Sequence, residues 1–157
     1  FGELFIGLPD EKQLELEAAQ TSLEKNLEMY TMVWNEVFKN RNLDIINEEY
    51  FDKDVVAVAT SAGDIAGIEN FKAYYGNYIT GFSDGELIFV DLFGQGDKMV
   101  KHWRFKGTHD GDFFGVAATN KKVDVSGTTL IKMKDGKIVA EQDFMDFLSF
   151  YTQLGLM

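Results

Sequence analysis

Two carboxylic acids stand close together in the stretch GKIVAEQDFMDF (Gly136–Phe147). If this stretch is a strand, Glu141 and Asp143 point to the same face, because alternate side chains of a strand share a face. An apolar environment on that face would raise a carboxyl pKa, since burial and mutual repulsion both disfavour the charged form. One acid would then accept protons while the other donates them near neutral pH. On periodicity alone, two ordinary acids on a solvent-facing strand are the simpler interpretation.

The turn before this strand decides which neighbours Asp143 has. A two-residue turn at Asp135–Gly136 places Asp143 beside Thr128, on a largely polar face. A three-residue loop that begins at Lys134 shifts the register by one residue and places Asp143 beside Thr129. We expect the three-residue loop, because it puts the acid on a face that is apolar apart from Thr129. The residues of that face are Val125, Gly127, Thr129, Ile131 and Met133.

A second candidate lies in GTHDGDFFGVAATNKKVDVSG (Gly107–Gly127), which contains one of the chain's 2 histidines. The run HDGD offers nitrogen and oxygen ligands close together, but the sequence has no second cluster of ligands. We therefore expect no metal, and a polar hairpin tip in which Gly111 supplies the turn. His109 either donates a hydrogen bond at the rim of a pocket or pairs with Asp110 or Asp112 within the loop.

The composition excludes several classes of function. A net charge of −11 with no cluster of basic residues disfavours nucleic acids and anionic membranes as partners. The chain has 0 cysteines, so it has neither disulfides nor thiolate chemistry. No run of 18 apolar residues is present to span a bilayer. The 14 phenylalanines among 157 residues suit the lining of an apolar cavity in a single domain.

The chain starts with FGELFIGLPD rather than with an initiator methionine. The sequence therefore does not identify the cellular compartment. We expect a soluble protein, and the alternatives are the cytoplasm, which is slightly favoured, and export. We expect residues 1–22 to form a partly helical extension and residues 23–157 to form the domain.

Hydrophobic spacing predicts helices, then strands. Helices are predicted over 10–39, with a break at the possible capping box Thr21–Glu24, and over 43–51, 69–82 and 147–154. Strands are predicted over 55–60, 86–93, 98–106, 122–134 and 137–145. Helices grouped before an antiparallel meander indicate an α+β fold, in which a strongly bent sheet wraps around the helices and encloses a pocket.

Four stretches carry a resemblance to a known family. They are VWNEVFKNRNLDIINEEYF (Val33–Phe51), GIENFKAYY (Gly67–Tyr75), GDKMVKHWRFKGTHDGDFFGVAATNKKVDVSG (Gly96–Gly127) and DGKIVAEQDFMDFLSFYTQLG (Asp135–Gly155). In this order they resemble the SnoaL-like polyketide cyclases of the nuclear transport factor 2-like superfamily. The run G-T-H-x-G-x-F-x-G is the most specific of these motifs.

The resemblance implies a cone-shaped α+β barrel of mixed sheet, a deep apolar pocket, a homodimer, and neither a metal nor an organic cofactor. In these cyclases an aspartate on the last strand acts as acid and base in an intramolecular aldol ring closure, and it matches Asp143. The chain has Ala140, Glu141 and Gln142 where the family has Glu, His and Trp. Glu141 would have to replace the histidine as proton partner.

Two functions follow as alternatives. One is an acid–base enzyme without a cofactor, in which Asp143 removes a proton beside the carbonyl of a small apolar compound and His109 polarises the oxygen. The other is a non-catalytic module of the same fold that binds a small molecule or a partner. Tyr74, Tyr75 and Tyr78 are expected to pack or cover their helix. The residues expected to contact the ligand are Tyr30, Trp34, Trp103, Phe114 and Thr129.

Overall fold

The computed structural model describes residues 10–157, which form three α-helices and one six-stranded sheet. The helices are α1 (Glu11–Lys39), α2 (Ile68–Gly81) and α3 (Phe147–Gln153). The strands are β1 (Phe51–Thr60), β2 (Gly63–Ala66), β3 (Glu86–Gln95), β4 (Lys98–Thr108), β5 (Lys122–Lys134) and β6 (Lys137–Met145). The predicted α+β class is confirmed. Within residues 10–157 no helix has the length and apolar character needed to cross a bilayer.

Helix α1 begins at Asp10, whose side chain accepts a hydrogen bond from the amide of Gln13 at 2.7 Å. The predicted break at the capping box is wrong, because Thr21 instead donates its hydroxyl to the carbonyl of Glu17 at 3.0 Å within a continuous helix. The helix is exposed over 11–22, and its buried face begins at Leu23. Residues 1–9 of the predicted extension lie outside the described residues.

The helix predicted over 43–51 is also wrong, because this segment forms a single 3-10 turn, Leu43–Ile45. The side-chain oxygen of Asn47 accepts the amide of Glu49 at 2.8 Å, and its side-chain nitrogen donates to the carbonyl of Asp44 at 2.9 Å. Such bonds offer the backbone an alternative to helical pairing. The chain then enters β1 and turns into β2, a four-residue strand that the pattern did not predict because it is short and mostly exposed.

Over residues 10–157 the sheet has the order β2-β1-β6-β5-β4-β3, with β2 and β3 at its two edges. Only β1 and β6 pair in parallel, and the other neighbours are antiparallel, so the sheet is mixed. Register shifts interrupt four of its five strand pairs, as expected where a sheet bends strongly. The inner face packs on α1 and α2 around Trp34, Phe51 and Phe71, which form part of one core. Strand β6, which carries both acids, therefore lies inside the sheet.

The register between β5 and β6 is set by a bulge. The connecting turn is Asp135–Gly136, with φ values of 51° and 76° at its two residues, so the predicted three-residue loop is wrong. The pairing then shifts by one residue at Val139, which has no partner on β5. Beyond the bulge Asp143 lies opposite Thr129, so the predicted pairing is confirmed. The bulge therefore produces the one-residue shift in register that we predicted for the turn.

Gly127 on β5 packs against the Trp103 ring, which occupies the space that a side chain at position 127 would need. A Cβ atom at Gly127 would overlap the Trp103 ring and the carbonyl oxygen of Phe144. We expect Gly127→Ala to lower the free energy of unfolding in urea by about 1–3 kcal/mol, the usual cost of overpacking. The matched control is Ser126→Ala, at an exposed position of the same strand, which should leave the value unchanged. Equal stability of both variants would show that the ring moves away freely.

Candidate functional site

A cavity of about 410 Å³ lies between the inner face of the sheet and the three helices. This volume is in the range of small-molecule binding sites, and the lining is mostly apolar, as such sites usually are. Three ionisable side chains of the sheet reach it: Lys101 from β4 and the pair Glu141 and Asp143 from β6. Its aromatic lining includes Trp34, Tyr74, Tyr75, Tyr78, Trp103 and Tyr151.

Asp143 is held by two hydroxyl groups from different elements. Thr129 donates to its Oδ1 at 2.5 Å, and Tyr75 of α2 donates to its Oδ2 at 2.7 Å. The Thr129 hydroxyl accepts the indole N–H of Trp103 at 2.9 Å, which leaves its only proton for Asp143. The carboxylate therefore has a fixed orientation at the cavity wall.

Glu141 is 1% exposed and receives two hydrogen bonds from helix α1. The Tyr30 hydroxyl and the Trp34 indole N–H, the latter at 3.2 Å, both donate to its Oε1. Burial raises the pKa of Glu141 to about 7, and the negative charge of Asp143 adds to this effect. The attraction of Lys101 and the two hydrogen bonds act in the opposite direction. A carboxyl group with this pKa can both give and take a proton at neutral pH.

Lys101 is the ionisable residue of the site that the sequence did not predict. It is 5% exposed, and its Nζ lies 5.0 Å from the ring centroid of Tyr30 and 5.1 Å from that of Trp34. Burial lowers the pKa of Lys101, while Glu141 and Asp143 oppose that shift. The signal was present in the sequence, because Lys101 alternates with inward-facing residues along β4. These residues are Met99, Trp103 and Phe105.

The tyrosines of α2 pack against the core as predicted, and they also form part of the site. Tyr75 holds Asp143, and Tyr74 and Tyr78 line the cavity with it. Burial raises the pKa of Tyr75 and Tyr78 well above 10, and raises the pKa of Tyr74 to about 12. All three phenols therefore stay protonated at neutral pH, and each has a proton that it can donate in a hydrogen bond.

The other predicted ligand contacts divide into three positions. Trp34 and Trp103 line the cavity. Tyr30 and Thr129 lie behind it and hold the two carboxyl groups. Phe114 is 45% exposed and packs on the Tyr74 ring, with centroids 5.2 Å apart, so it supports the wall without lining the cavity.

His109 does not join this group. Its ring is fully buried, with its centroid 5.5 Å from that of Phe82, and its Nδ1 lies 3.0 Å from the Thr119 hydroxyl. Its backbone also pairs with that of Lys121, so it ties down the loop between β4 and β5. This position does not support the predicted role as a donor at the rim, because the side chain does not line the cavity.

The acids that follow His109 bond to other residues, so the predicted pairing of His109 with Asp110 or Asp112 is wrong. Asp110 accepts hydrogen bonds from the backbone and hydroxyl of Ser83, and Asp112 accepts the amide of Gly115 at 2.9 Å. Over residues 10–157 the structure contains no group of three or more potential metal-ligating side chains.

Comparison with known proteins identifies relatives of this chain. The family model described as SnoaL-like polyketide cyclase matches residues 27–154. A structure from Jannaschia sp. CCS1, provisionally named a SnoaL-like polyketide cyclase, has a TM-score of 0.77 and 25% identity, over 85% of this chain and 94% of that chain. A search of curated proteins finds no match.

Two further structures are similar at lower identity. TsrD from Streptomyces laurentii has a TM-score of 0.71 and 22% identity, and the alignment covers 87% of this chain and 97% of that chain. A protein from Acidithiobacillus ferrooxidans, provisionally named a polyketide cyclase, has a TM-score of 0.72 and 22% identity over 83% of this chain and 94% of that chain. At these identities the two structures establish a shared fold.

The raised pKa of Glu141 predicts a pH dependence of stability. Folding raises this pKa from 4.5 to about 7, so between these values the folded state binds the proton that the unfolded state releases. Stability therefore falls as the pH rises through this window, by about 3 kcal/mol in total. Urea unfolding from pH 4 to 8 should show this loss relative to Glu141→Gln, which has no charge at either pH. Parallel pH profiles for the two proteins would contradict the assignment.

Proposed function

Because this chain belongs to the SnoaL-like polyketide cyclase family, we propose that it is an acid–base enzyme acting on a small apolar carbonyl compound. The reaction is an aldol cyclisation of the polyketide cyclase type or a related isomerisation. The observation that carries the proposal is the pair of acids at the cavity, in which Glu141 has a pKa of about 7 and Asp143 is held by two hydroxyl groups.

In this proposal Asp143 removes a proton from the carbon beside the carbonyl group. Its hydrogen bonds to Thr129 and Tyr75 fix the direction of the carboxylate, and a fixed base avoids the cost of reorientation in the transition state. Glu141 in its protonated form supplies a proton to the oxygen or carbon that becomes negatively charged. Two carboxyl groups in different environments can divide these two tasks.

The negative charge that develops on the carbonyl oxygen needs a donor, and the position of His109 leaves that role to other groups. The ammonium of Lys101 and the phenols of Tyr74 and Tyr78 line the same cavity. Such donors stabilise an enolate strongly where water is excluded. The apolar aromatic walls select an apolar compound, and they provide the contacts that hold it near Asp143.

The proposal predicts proton exchange in a simple ketone. Incubation of the protein with 2-tetralone in deuterium oxide should introduce deuterium beside the carbonyl, as followed by proton NMR. We expect Asp143→Asn to slow this exchange by about 10²–10⁴-fold, the usual contribution of a positioned base. Glu86→Gln, an exposed acid at the start of β3, is the matched control and should keep the wild-type rate.

Binding must be measured beside exchange, because the alternative function is a module that binds without catalysis. Quenching of Trp34 and Trp103 fluorescence reports binding, since both indoles line the cavity. Equal 2-tetralone binding by wild type and Asp143→Asn, with exchange only in the wild type, would support the enzyme. Binding without exchange in either protein would overturn it and leave the binding module.

We also propose that the chain forms a homodimer through the outer face of the sheet. Large apolar side chains are exposed there at Val90, Phe93, Leu130 and Phe144, each 46–54% accessible. Phe93 and Leu130 are both paired with Val100 of the strand between them, so they lie in one row across three strands. An apolar row of this kind is costly in water and is relieved when a second copy covers it.

Light scattering during size-exclusion chromatography tests this proposal. Leu130→Asp should shift the protein from the mass of two chains to the mass of one, because it places a charge in the shared apolar row. Leu14→Asp, at a 54% exposed position of α1, is the control and should leave the mass of two chains. A wild-type protein with the mass of one chain would refute the dimer.

A further inference from the structure

Lys101 occupies an unusual position for a lysine. It lies on the inner face of β4 and lines the cavity, and 5% of its surface is exposed. Its Nζ faces three aromatic rings, with centroids of Tyr30, Trp34 and Phe89 at 5.0, 5.1 and 5.3 Å. Lysine side chains rarely lie this deep unless they are paired or have a chemical task.

Among the described residues, no carboxylate lies within 4.0 Å of the Lys101 ammonium. The ion pairs within 4.0 Å among residues 10–157 join Lys72 to Asp44 and Arg104 to Asp124, and they do not include Lys101. Glu141 and Asp143 attract its charge from a longer distance, but burial has the larger effect and lowers the pKa of the amine. A desolvated lysine gives up its proton more readily than one on the surface, which makes it a better nucleophile.

We propose that Lys101 is a nucleophile that forms a Schiff base with apolar or aromatic aldehydes and ketones bound in the cavity. The inference rests on the proposed function, because both require a carbonyl compound at this site. It deepens that function by adding a covalent bond between the enzyme and the carbonyl carbon, which replaces the hydrogen bond from the Lys101 ammonium to the carbonyl oxygen. Two features carry it: a buried amine that lies among aromatic rings in the cavity lining, and Glu141, an acid with a transferable proton in the same lining.

The steps balance without an outside oxidant or reductant. The neutral Nζ adds to the carbonyl carbon, a C–N bond forms, and a proton moves from nitrogen to oxygen to give a carbinolamine. Protonated Glu141 then gives its proton to the hydroxyl group, the C–O bond breaks, and water leaves as the nitrogen lone pair completes the C=N bond. The products are a protonated imine on Lys101, one water molecule and the Glu141 carboxylate.

The surrounding groups suit both steps. Glu141 in its ionised form can first accept, through a bridging water, the proton that makes the amine neutral, and its pKa of about 7 allows it to return a proton later. The protonated imine that results is flanked by the charges of Glu141 and Asp143, which stabilise it. It is also a stronger electron sink than a ketone, so Asp143 would remove the neighbouring proton more easily.

Reductive trapping tests the inference on the wild-type protein. Benzaldehyde and sodium cyanoborohydride are added at pH 7, and peptide mass spectrometry locates the benzyl groups that reduction fixes on lysines. We expect Lys101 to be labelled at least about tenfold faster than exposed Lys98 and Lys132. Prior addition of 2-tetralone should protect Lys101 alone. Labelling of surface lysines with none at Lys101 would overturn the inference.

Variants separate this result from the proposed proton transfer. Benzaldehyde has no proton on the carbon beside its carbonyl, so its imine forms without proton removal by Asp143. Asp143→Asn should therefore still be labelled at Lys101 faster than at Lys98 and Lys132, although loss of the Asp143 charge changes the absolute rate. Lys101→Arg keeps a positive charge and should lose the benzyl group on that peptide. Label on that peptide in the arginine variant would refute the assignment. Labelling of Lys101 with no exchange of 2-tetralone would refute the proton transfer and leave the Schiff base.

Discussion

The structure depends on keeping three ionisable groups inside an aromatic interior. A buried charge without partners is costly, so each carboxyl group must be compensated by donors that the fold brings to it. Glu141 obtains its donors from α1, and Asp143 obtains them from α2 and β5. The packing of both helices on the sheet is therefore linked to the electrostatics of the site. A shift of α1 would leave Glu141 without its donors, and a shift of α2 would remove one of the two donors of Asp143.

The site also depends on one extra residue in a strand. Without the bulge at Val139, the two-residue turn would place Asp143 beside Thr128 and turn both acids toward the outer face. The sequence predicted the correct partner of Asp143, Thr129, because a catalytic acid is expected on an apolar face. The sequence attributed the one-residue shift in register to the turn and not to the bulge, because a bulge changes the hydrophobic pattern very little. The class of fold and the strands β5 and β6 were predictable, because their alternation is regular.

The remaining site residues were harder to predict, and for physical reasons. Lys101 belongs to the inward row of β4, but a lysine in such a row is normally read as solvent-facing. Tyr75 holds Asp143 only because α2 crosses the cavity, and no local pattern encodes that crossing. His109 showed the opposite error, since a rare residue in a specific motif suggested chemistry while the ring stabilises a loop. Local sequence patterns therefore predicted the helices and strands, whereas the site depends on contacts between these elements, which the patterns do not encode.

The parallel pairing of β1 with β6 has a consequence for how the protein is made. β6 is the last strand of the sheet in chain order, yet it inserts between β1 and β5, with Glu141 opposite Ala57. During synthesis, the edges of β1 and β5 that pair with β6 therefore stay exposed until β6 leaves the ribosome. Contacts this distant in sequence also form slowly. The strand that completes the sheet is also the one that brings in both acids. A nascent chain thus has no acid–base pair until its sheet is whole, and the same event ends its exposure to aggregation.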